Sequence, residues 1–363
     1  MKNYLVLIDK FDGFTAKYLD GLLSALVMQG SVDLFSLTKN EYHHSSVKNL
    51  SGKHSEYFVK TGNPNVYNEF FDFVLGSNYD RIIIPRAHFL EYLVLRLMSL
   101  NGDLVIPISI GFYGLNEITT NSMRKFVISK FLEFQNDNKV ILHSNGWYLA
   151  ALDLEQQDWF APYSLEAVSD PIYDDSSAYG VLNSSDARDL LKIPHKFKVI
   201  LFFGSMYFGK GIDILLEAFD LLPENFFLVI ASSSATLNMN FNQERFQSQR
   251  ILHLDSFIEE SLVPTLFAAA DLVCMPYRSS YSDGTSGVLV QSALARKPIC
   301  VPNIGPFSSI VAKYLVGTTF EVENPNSLAE ALLGYTSNPS VKFGWDRYLS
   351  EMTSWDEIAN SYL

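Results

Sequence analysis

Asp271-Leu-Val-Cys-Met-Pro-Tyr277 runs, after a short polar link, into Asp283-Gly-Thr-Ser-Gly-Val-Leu-Val-Gln291. The first run has the length and apolar content of a buried strand, and the second opens a helical pattern over 286–295. Strand, loop and helix start in that order form half of a crossover unit in a parallel sheet. The first N–H groups of such a helix lack partners, and the positive end of its dipole lies behind them, so the turn suits an anion. Asp283 precedes the turn and Gln291 follows it. At about 1.5 Å per residue, eight residues span roughly 12 Å, the reach of a sugar nucleotide from hexose to ribose. Asp283, Gly284, Thr285, Ser286, Gly287, Val288 and Gln291 are therefore candidate contacts to a diphosphate flanked by two hydroxyl-rich rings. The same residues also have an ordinary reading, because Asp and Ser cap helices and glutamine is commonly solvated.

Working outward, short apolar runs alternate with helical patterns almost throughout. This predicts an α/β protein of two doubly wound, Rossmann-like domains with parallel sheets, facing across a cleft. In the first half the candidate strands are 4–8, 32–37, 57–60, 81–85, 104–109, 139–143 and 166–168. Helical patterns cover 16–29, 66–75 and 120–134. Asp170-Pro-Ile-Tyr-Asp-Asp-Ser-Ser177 interrupts the alternation with proline and turn formers. A second series follows with strands at 198–203, 227–231, 250–254, 272–276 and 298–301. The expected domains are 1–170, 171–344 and a C-terminal helix over 345–363 that packs back toward the first domain. Residues 38–65, rich in Asn, Ser, His and Lys, read as surface loops around one short strand.

A chain of 363 residues with 48% hydrophobic and 18% charged residues supports two packed cores and carries no signature of disorder. Forty acidic against 27 basic residues, a formal charge of −13, argue against general nucleic-acid binding. The start of the chain lacks the apolar core and cleavage site of a signal peptide, and no run has the length of a membrane span. Cys274 and Cys300 sit in strand-like runs and read as reduced core thiols of a cytoplasmic protein.

A second glycine loop, Gly204-Ser-Met-Tyr-Phe-Gly-Lys-Gly211, follows the strand 198–203 and precedes a helix with Ile212, Leu215, Leu216 and Phe219 at helical spacing. It fits most of the pattern of a nucleoside-triphosphate loop. The last position fails, because Gly211 has no hydroxyl for a magnesium ion. Gly204 and Ser205 still permit close backbone approach, and Lys210 brings an ammonium to a phosphate. The ordinary alternative is a tight turn with a solvated lysine.

The segments 203–219, 270–277 and 286–298, with Asn324-Pro-Asn-Ser-Leu-Ala-Glu-Ala331 and Ser354-Trp-Asp-Glu-Ile-Ala359, resemble the C-terminal donor domain of family 4 (group 1) retaining glycosyltransferases with the GT-B fold. The resemblance covers 186–363 and extends to the first half only in element order. It implies sugar transfer from a nucleotide-diphosphate-sugar to a hydroxyl with retention, without a metal or other cofactor. The chain has no Asp-x-Asp pair, which disfavours the metal-dependent transferase architecture. Lys210 matches the diphosphate lysine of the family, Ser205 stands where an arginine is expected, and Asp283 and Gln291 occupy the two glutamate positions. Asp283 keeps a carboxylate for a sugar hydroxyl, and the Gln291 amide can serve ribose hydroxyls. Arg278, at the end of the strand that leads to Asp283, is the candidate replacement for the missing arginine. Asp283 and Lys210 are the residues expected to carry the chemistry.

In the first domain Gly13 starts the first helix and is expected to approach the diphosphate. Gly111-Phe-Tyr-Gly114 reads as an acceptor loop, with Gly111 and Tyr113 as weaker candidates. His88 and His143 follow strand ends, where a lone histidine is more often structural than functional, and are weaker acceptor-side candidates. The implied acceptor is a sugar or lipid-linked saccharide in bacterial surface polysaccharide or glycolipid synthesis. A lipid-linked acceptor would bring the protein to the inner face of the cell membrane. The substituted positions also fit a catalytically silent partner subunit of the same fold; a third class, a nucleotide-sugar epimerase on a similar two-domain scaffold, would need acidic and histidine residues that no motif singles out.

Overall fold

The computed structural model describes residues 2–8, 13–37, 46–51, 66–85, 90–100, 103–113, 122–134, 137–143, 165–168, 176–233, 246, 248–281, 286–335 and 340–363. The chain divides into two compact units. One is 1–173 together with 353–363, and the other is 174–352.

In the first unit the elements run β1 (Lys2–Ile8), α1 (Gly13–Val27), β2 (Gly30–Ser36), β3 (Lys48–Ser51), α2 (Val66–Val74), β4 (Arg81–Ile84), α3 (Leu90–Ser99), β5 (Ile108–Tyr113), α4 (Ser122–Phe134), β6 (Lys139–His143) and β7 (Leu165–Val168). The strands form one sheet in the order β3-β2-β1-β4-β5-β6-β7, every pairing parallel. Alternate residues of β1 serve opposite faces, as a strand of period two requires. Leu5 and Leu7 join Phe70, Phe71, Ile82 and Leu97 in one buried layer. Tyr4, Val6 and Ile8 join Tyr18, Leu22 and Leu26 in the other. Helices on both faces explain why these strands are continuously apolar.

The second unit continues with α5 (Ser184–Leu191), β8 (Lys198–Phe203), α6 (Ile212–Asp220), β9 (Phe226–Ala231), β10 (Ile251–Leu254), α7 (Val263–Ala269), β11 (Leu272–Cys274), α8 (Gly287–Leu294), β12 (Ile299–Pro302), α9 (Gly305–Tyr314), β13 (Gly317–Phe320), α10 (Pro325–Gly334) and α11 (Ser340–Ser350). Its parallel sheet has the order β10-β9-β8-β11-β12-β13. In α6 the predicted spacing is the buried one: Ile212, Leu215, Leu216 and Phe219 pack on Phe202 and Leu228. Cys274 and Cys300 are register neighbours on β11 and β12, buried and unbridged.

Four details differ from the sequence reading. The third strand is 48–51, within the segment read as loops, and 57–60 lies outside the described residues. The strand expected at 104–109 runs instead over Ile108–Tyr113, starting just after Pro107, which cannot donate to a ladder. The edge strand β13 was not foreseen, since Gly-Thr-Thr-Phe is short and half exposed. Finally, 345–363 is not one helix. The segment breaks after Ser350, and Ser354 starts α12 (Trp355–Tyr362) with a capping box to Glu357. The helix α11 stays with the second unit through buried Trp345 and Tyr348, whose rings meet edge to face. The helix α12 belongs to the first unit, where Tyr362 donates to the Pro85 carbonyl and Trp355 packs edge-on against Tyr18.

Candidate functional site

In each sheet the strand order reverses at one place, between β1 and β4 in the first unit and between β8 and β11 in the second. Ligands of open α/β sheets bind outside the strand carboxyl ends at such switch points. The two glycine loops singled out in the sequence leave β8 and β11, so the topology puts both at the switch point of the second unit.

The first loop leaves β8 at Gly204, whose φ of +104° is open to glycine and strained for other residues. A Cβ on Gly204 would lie 3.6 Å from Val288 Cγ2, so this turn faces the first turn of α8. Ser205 is exposed and Met206 buried. A single 3-10 turn, Phe208–Lys210, then carries the lysine, and Gly211 enters α6 at φ +64°. Glycine is required at 211 twice over, because a Cβ there would overlap the Pro276 carbonyl oxygen of the neighbouring strand end.

Lys210 is only 7% exposed. Its Nζ lies 3.8 Å from the ring centroid of Tyr277, 4.3 Å from Tyr281 and 5.9 Å from Tyr207. Among the described residues no carboxylate pairs with it. Burial lowers its pKa to about 7, because a desolvated ammonium is disfavoured. The ring faces work the other way and favour the cation. Among the described residues this ammonium has no counter-charge, which an arriving anion would supply.

The second loop leaves β11 through Met275 and Pro276. The Tyr277 hydroxyl and Ser286 Oγ are 3.0 Å apart. That contact turns the Ser286 side chain inward, so it caps no backbone group of α8. The N–H groups of Leu289 and Val290 reach the Ser286 carbonyl, which leaves those of Gly287 and Val288 to other acceptors. Around the helix Val288, Leu289, Val290, Ser292, Ala293 and Leu294 are buried. Gly287 and Gln291 are only partly buried and share one face at i, i+4 spacing, so the sole accessible stripe of the first two turns carries two predicted contacts.

Arg278, the candidate replacement cation, has a different occupation. It is 9% exposed, and its Nη2 pairs with Asp213. Its Nη1 lies 3.6 Å from Glu323, its Nε donates to the Phe208 carbonyl at 3.0 Å, and its plane lies 4.0 Å from the Phe208 ring centroid. Two carboxylates already balance its charge. The tyrosines around Lys210, and Asp213 and Glu323 around Arg278, were missed in the sequence. Three tyrosines beside the glycine loops were a visible hint, whereas Glu323 lies 44 residues beyond Ser279, which it binds, and gave no local signal.

Asp283, Gly284, Thr285 and His88 lie outside the described residues. Gly13 is the first residue of α1 at the first unit's switch point. Gly111 and Tyr113 lie inside β5, not in a loop after it. A Cβ at Gly111 would overlap the Tyr362 hydroxyl and the Pro85 carbonyl oxygen, so this glycine admits α12. Tyr113 and His143 are register partners at the carboxyl ends of β5 and β6. Among the described residues no group of three or more His, Cys, Asp or Glu is placed to hold a metal ion, and no helix is long and apolar enough to cross a membrane.

Comparison with known proteins bears on this geometry directly: residues 183–348 match the group 1 glycosyl transferases. These residues are similar to a group 1 glycosyl transferase domain. The match begins at the cap of α5 and ends in α11, so it contains both glycine loops. D-inositol 3-phosphate glycosyltransferase of Xylanimonas cellulosilytica is 25% identical over 209 residues, 55% of this chain and 48% of that protein. The chain thus spans about half the length of that curated relative. Sucrose-phosphate synthase from Thermosynechococcus elongatus superposes with a TM-score of 0.73 at 15% identity, over 99% of this chain and 97% of that one. Anabaena HepE in complex with UDP gives 0.71 at 16% identity, over 99% and 97%. The fold is accordingly the GT-B architecture of two Rossmann-like units.

Proposed function

We propose that the chain transfers a sugar from a nucleotide-diphosphate-sugar donor to a hydroxyl acceptor, with retention at the anomeric carbon. The observation that carries this reading is the approach of the Gly204 turn to the first turn of α8, with the buried Lys210 ammonium, which no carboxylate among the described residues pairs, in the same switch point. In this reading the diphosphate accepts hydrogen bonds from the N–H groups of Gly287 and Val288 and takes Lys210 as its counter-charge. Transfer is limited by the charge that develops on the leaving diphosphate, and preorganised donors in a desolvated site lower that barrier. The α8 dipole and Lys210 supply this stabilisation without a metal or cofactor. Gln291, on the accessible stripe of α8, serves the ribose, and Asp283 the transferred sugar.

We assign the acceptor to the first unit, with Tyr113 and His143 as the residues to test, and Gly13 as the residue of that unit to test against the diphosphate. A sugar or lipid-linked saccharide of a bacterial surface polymer is the acceptor class, and the inner face of the cell membrane the place of action. The HepE complex with UDP makes uridine diphosphate the first nucleotide to try.

A thermal-shift panel of nucleoside diphosphates and their sugars tests the donor. A ligand at about 100 times its Kd adds about 2.7 kcal/mol to stability, a rise of several degrees in Tm. Failure of a well-folded sample to respond to any nucleotide would sink the enzyme reading in favour of a silent partner subunit. Release of free nucleotide with appearance of a glycosylated acceptor separates transfer from epimerisation.

A further inference from the structure

The group 1 family places an arginine near the Gly204 loop, and here that position is Ser205. The arginine on the strand-end loop, Arg278, is bound to other partners, and the pattern of those partners shows its use. Its backbone N–H donates to the Gly209 carbonyl at 2.9 Å, and its Nε donates to the Phe208 carbonyl. Both acceptors belong to the one turn that carries Lys210. Its Nη2 holds Asp213 in the first turn of α6, immediately after that turn. On the far side stands Glu323, a non-glycine residue at φ +61°. Such a backbone persists where its surroundings over-determine it, and here they do. The carboxylate of Glu323 accepts from Ser279 N at 3.1 Å and Ser279 Oγ at 2.7 Å, and it faces Arg278 Nη1. The Ser279 hydroxyl and backbone N–H hold the Glu323 carboxyl below its ordinary pKa, so it stays an anion.

We propose that Arg278, held by Asp213 and Glu323, is a positioning residue that locks the Phe208–Lys210 turn so that the Lys210 ammonium stays over the tyrosine faces and meets the diphosphate preorganised. Resting on the donor reading above, this replaces direct charge compensation by an arginine with rigid presentation of the single lysine. The planar fork of the guanidinium is needed, since one side chain must serve a carbonyl, two carboxylates and a ring at once.

The test combines hydrogen exchange on the free protein with nucleotide affinity. Arg278→Ala and Arg278→Lys are expected to exchange the amides of 208–213 at least tenfold faster than the wild type. Glu323→Gly suits φ +61° and removes the carboxylate, so relief of the left-handed backbone offsets part of the lost contacts and the variant folds even where the arginine variants do not. For Glu323→Gly the expected result is faster exchange over the same amides and a roughly tenfold weaker Kd for UDP or the nucleotide selected by the panel. Unchanged exchange in Glu323→Gly and Arg278→Lys overturns the lock. Faster exchange with unchanged nucleotide affinity also overturns it, because the contacts would then be structural only. Absence of nucleotide binding by the wild type refutes the donor reading itself, an outcome read on a different protein from those that test the lock.

Discussion

The two units share a sheet topology, yet their closely packed glycines do opposite work. In the second unit Gly204 and Gly211 take positive φ and pack closely at the carboxyl edge, the first against Val288 of α8 and the second against the Pro276 carbonyl. In the first unit Gly111 and Gly21 have no Cβ because α12 needs the room: the Tyr362 hydroxyl sits against one and the Trp355 ring against the other. The lesson is that a glycine identifies a close approach but not what approaches. In one unit the space faces a candidate ligand site, and in the other it is filled by the chain's own last helix.

The sharpest break of this comparison is Gly211→Ala. A left-handed backbone costs a side chain about 1–2 kcal/mol, and overpacking against Pro276 adds about 1–3 kcal/mol. Urea unfolding should therefore show a loss of roughly 2–5 kcal/mol, and retention of wild-type stability would show that the loop is not held as described. Lys210→Met comes next. It removes a buried cation while keeping its volume, so Tm should hold or rise while nucleotide affinity drops by roughly 10- to 100-fold, the worth of a charge-assisted contact. A coincident fall of both quantities would point to a structural lysine. Gly111→Ala tests the other side: overpacking against Tyr362 should lower stability by about 1–3 kcal/mol with nucleotide affinity unchanged.

Acidity probes the same contrast more gently. Free Lys210 titrates at about 7, and a bound diphosphate raises that value. Affinity should be flat below about pH 7 and fall above it, by at most tenfold per unit, as binding takes up a proton. Isothermal titration in buffers of different ionisation heat measures that proton, and Lys210→Met should abolish the uptake. Stability moves in the opposite sense. The unfolded chain binds more protons between pH about 7 and the ordinary 10.5, so this group's destabilising contribution is full below 7 and fades as pH rises through that window. The smallest expected effect belongs to Gln291→Ala, about fivefold in nucleotide Kd for one neutral hydrogen bond of about 1 kcal/mol; no change would remove Gln291 from the site.

Much of the candidate site was legible because its signals are local. Strand, glycine turn and helix start are adjacent in sequence, so 204–211 and 286–291 were found where the structure has them. Arg278 shows the limit. Its charge and its place after β11 were visible, and its role as a free cation was a fair expectation, but Asp213 and Glu323 meet it only through the folded sheet. Gly111 and Tyr113 were misplaced for a related reason: the run from Leu104 is apolar on both sides of Pro107, so hydropathy does not say where the strand begins. The single helix expected over 345–363 failed because helical periodicity continues across Ser354, whose capping box was the signal to heed.

Local pattern by itself determined two parallel sheets, their crossover helices and a pair of anion-suited turns, since strand and helix periods and turn chemistry act over a few residues. Tertiary structure alone decided that both turns share one switch point, that Lys210 lies among three tyrosines, that Arg278 is balanced by two acids, and that the C-terminal stretch splits into two helices, one for each unit. Each of these depends on pairing or burial between residues far apart in the chain, and such contacts exist only once strand order and helix packing have brought them within reach.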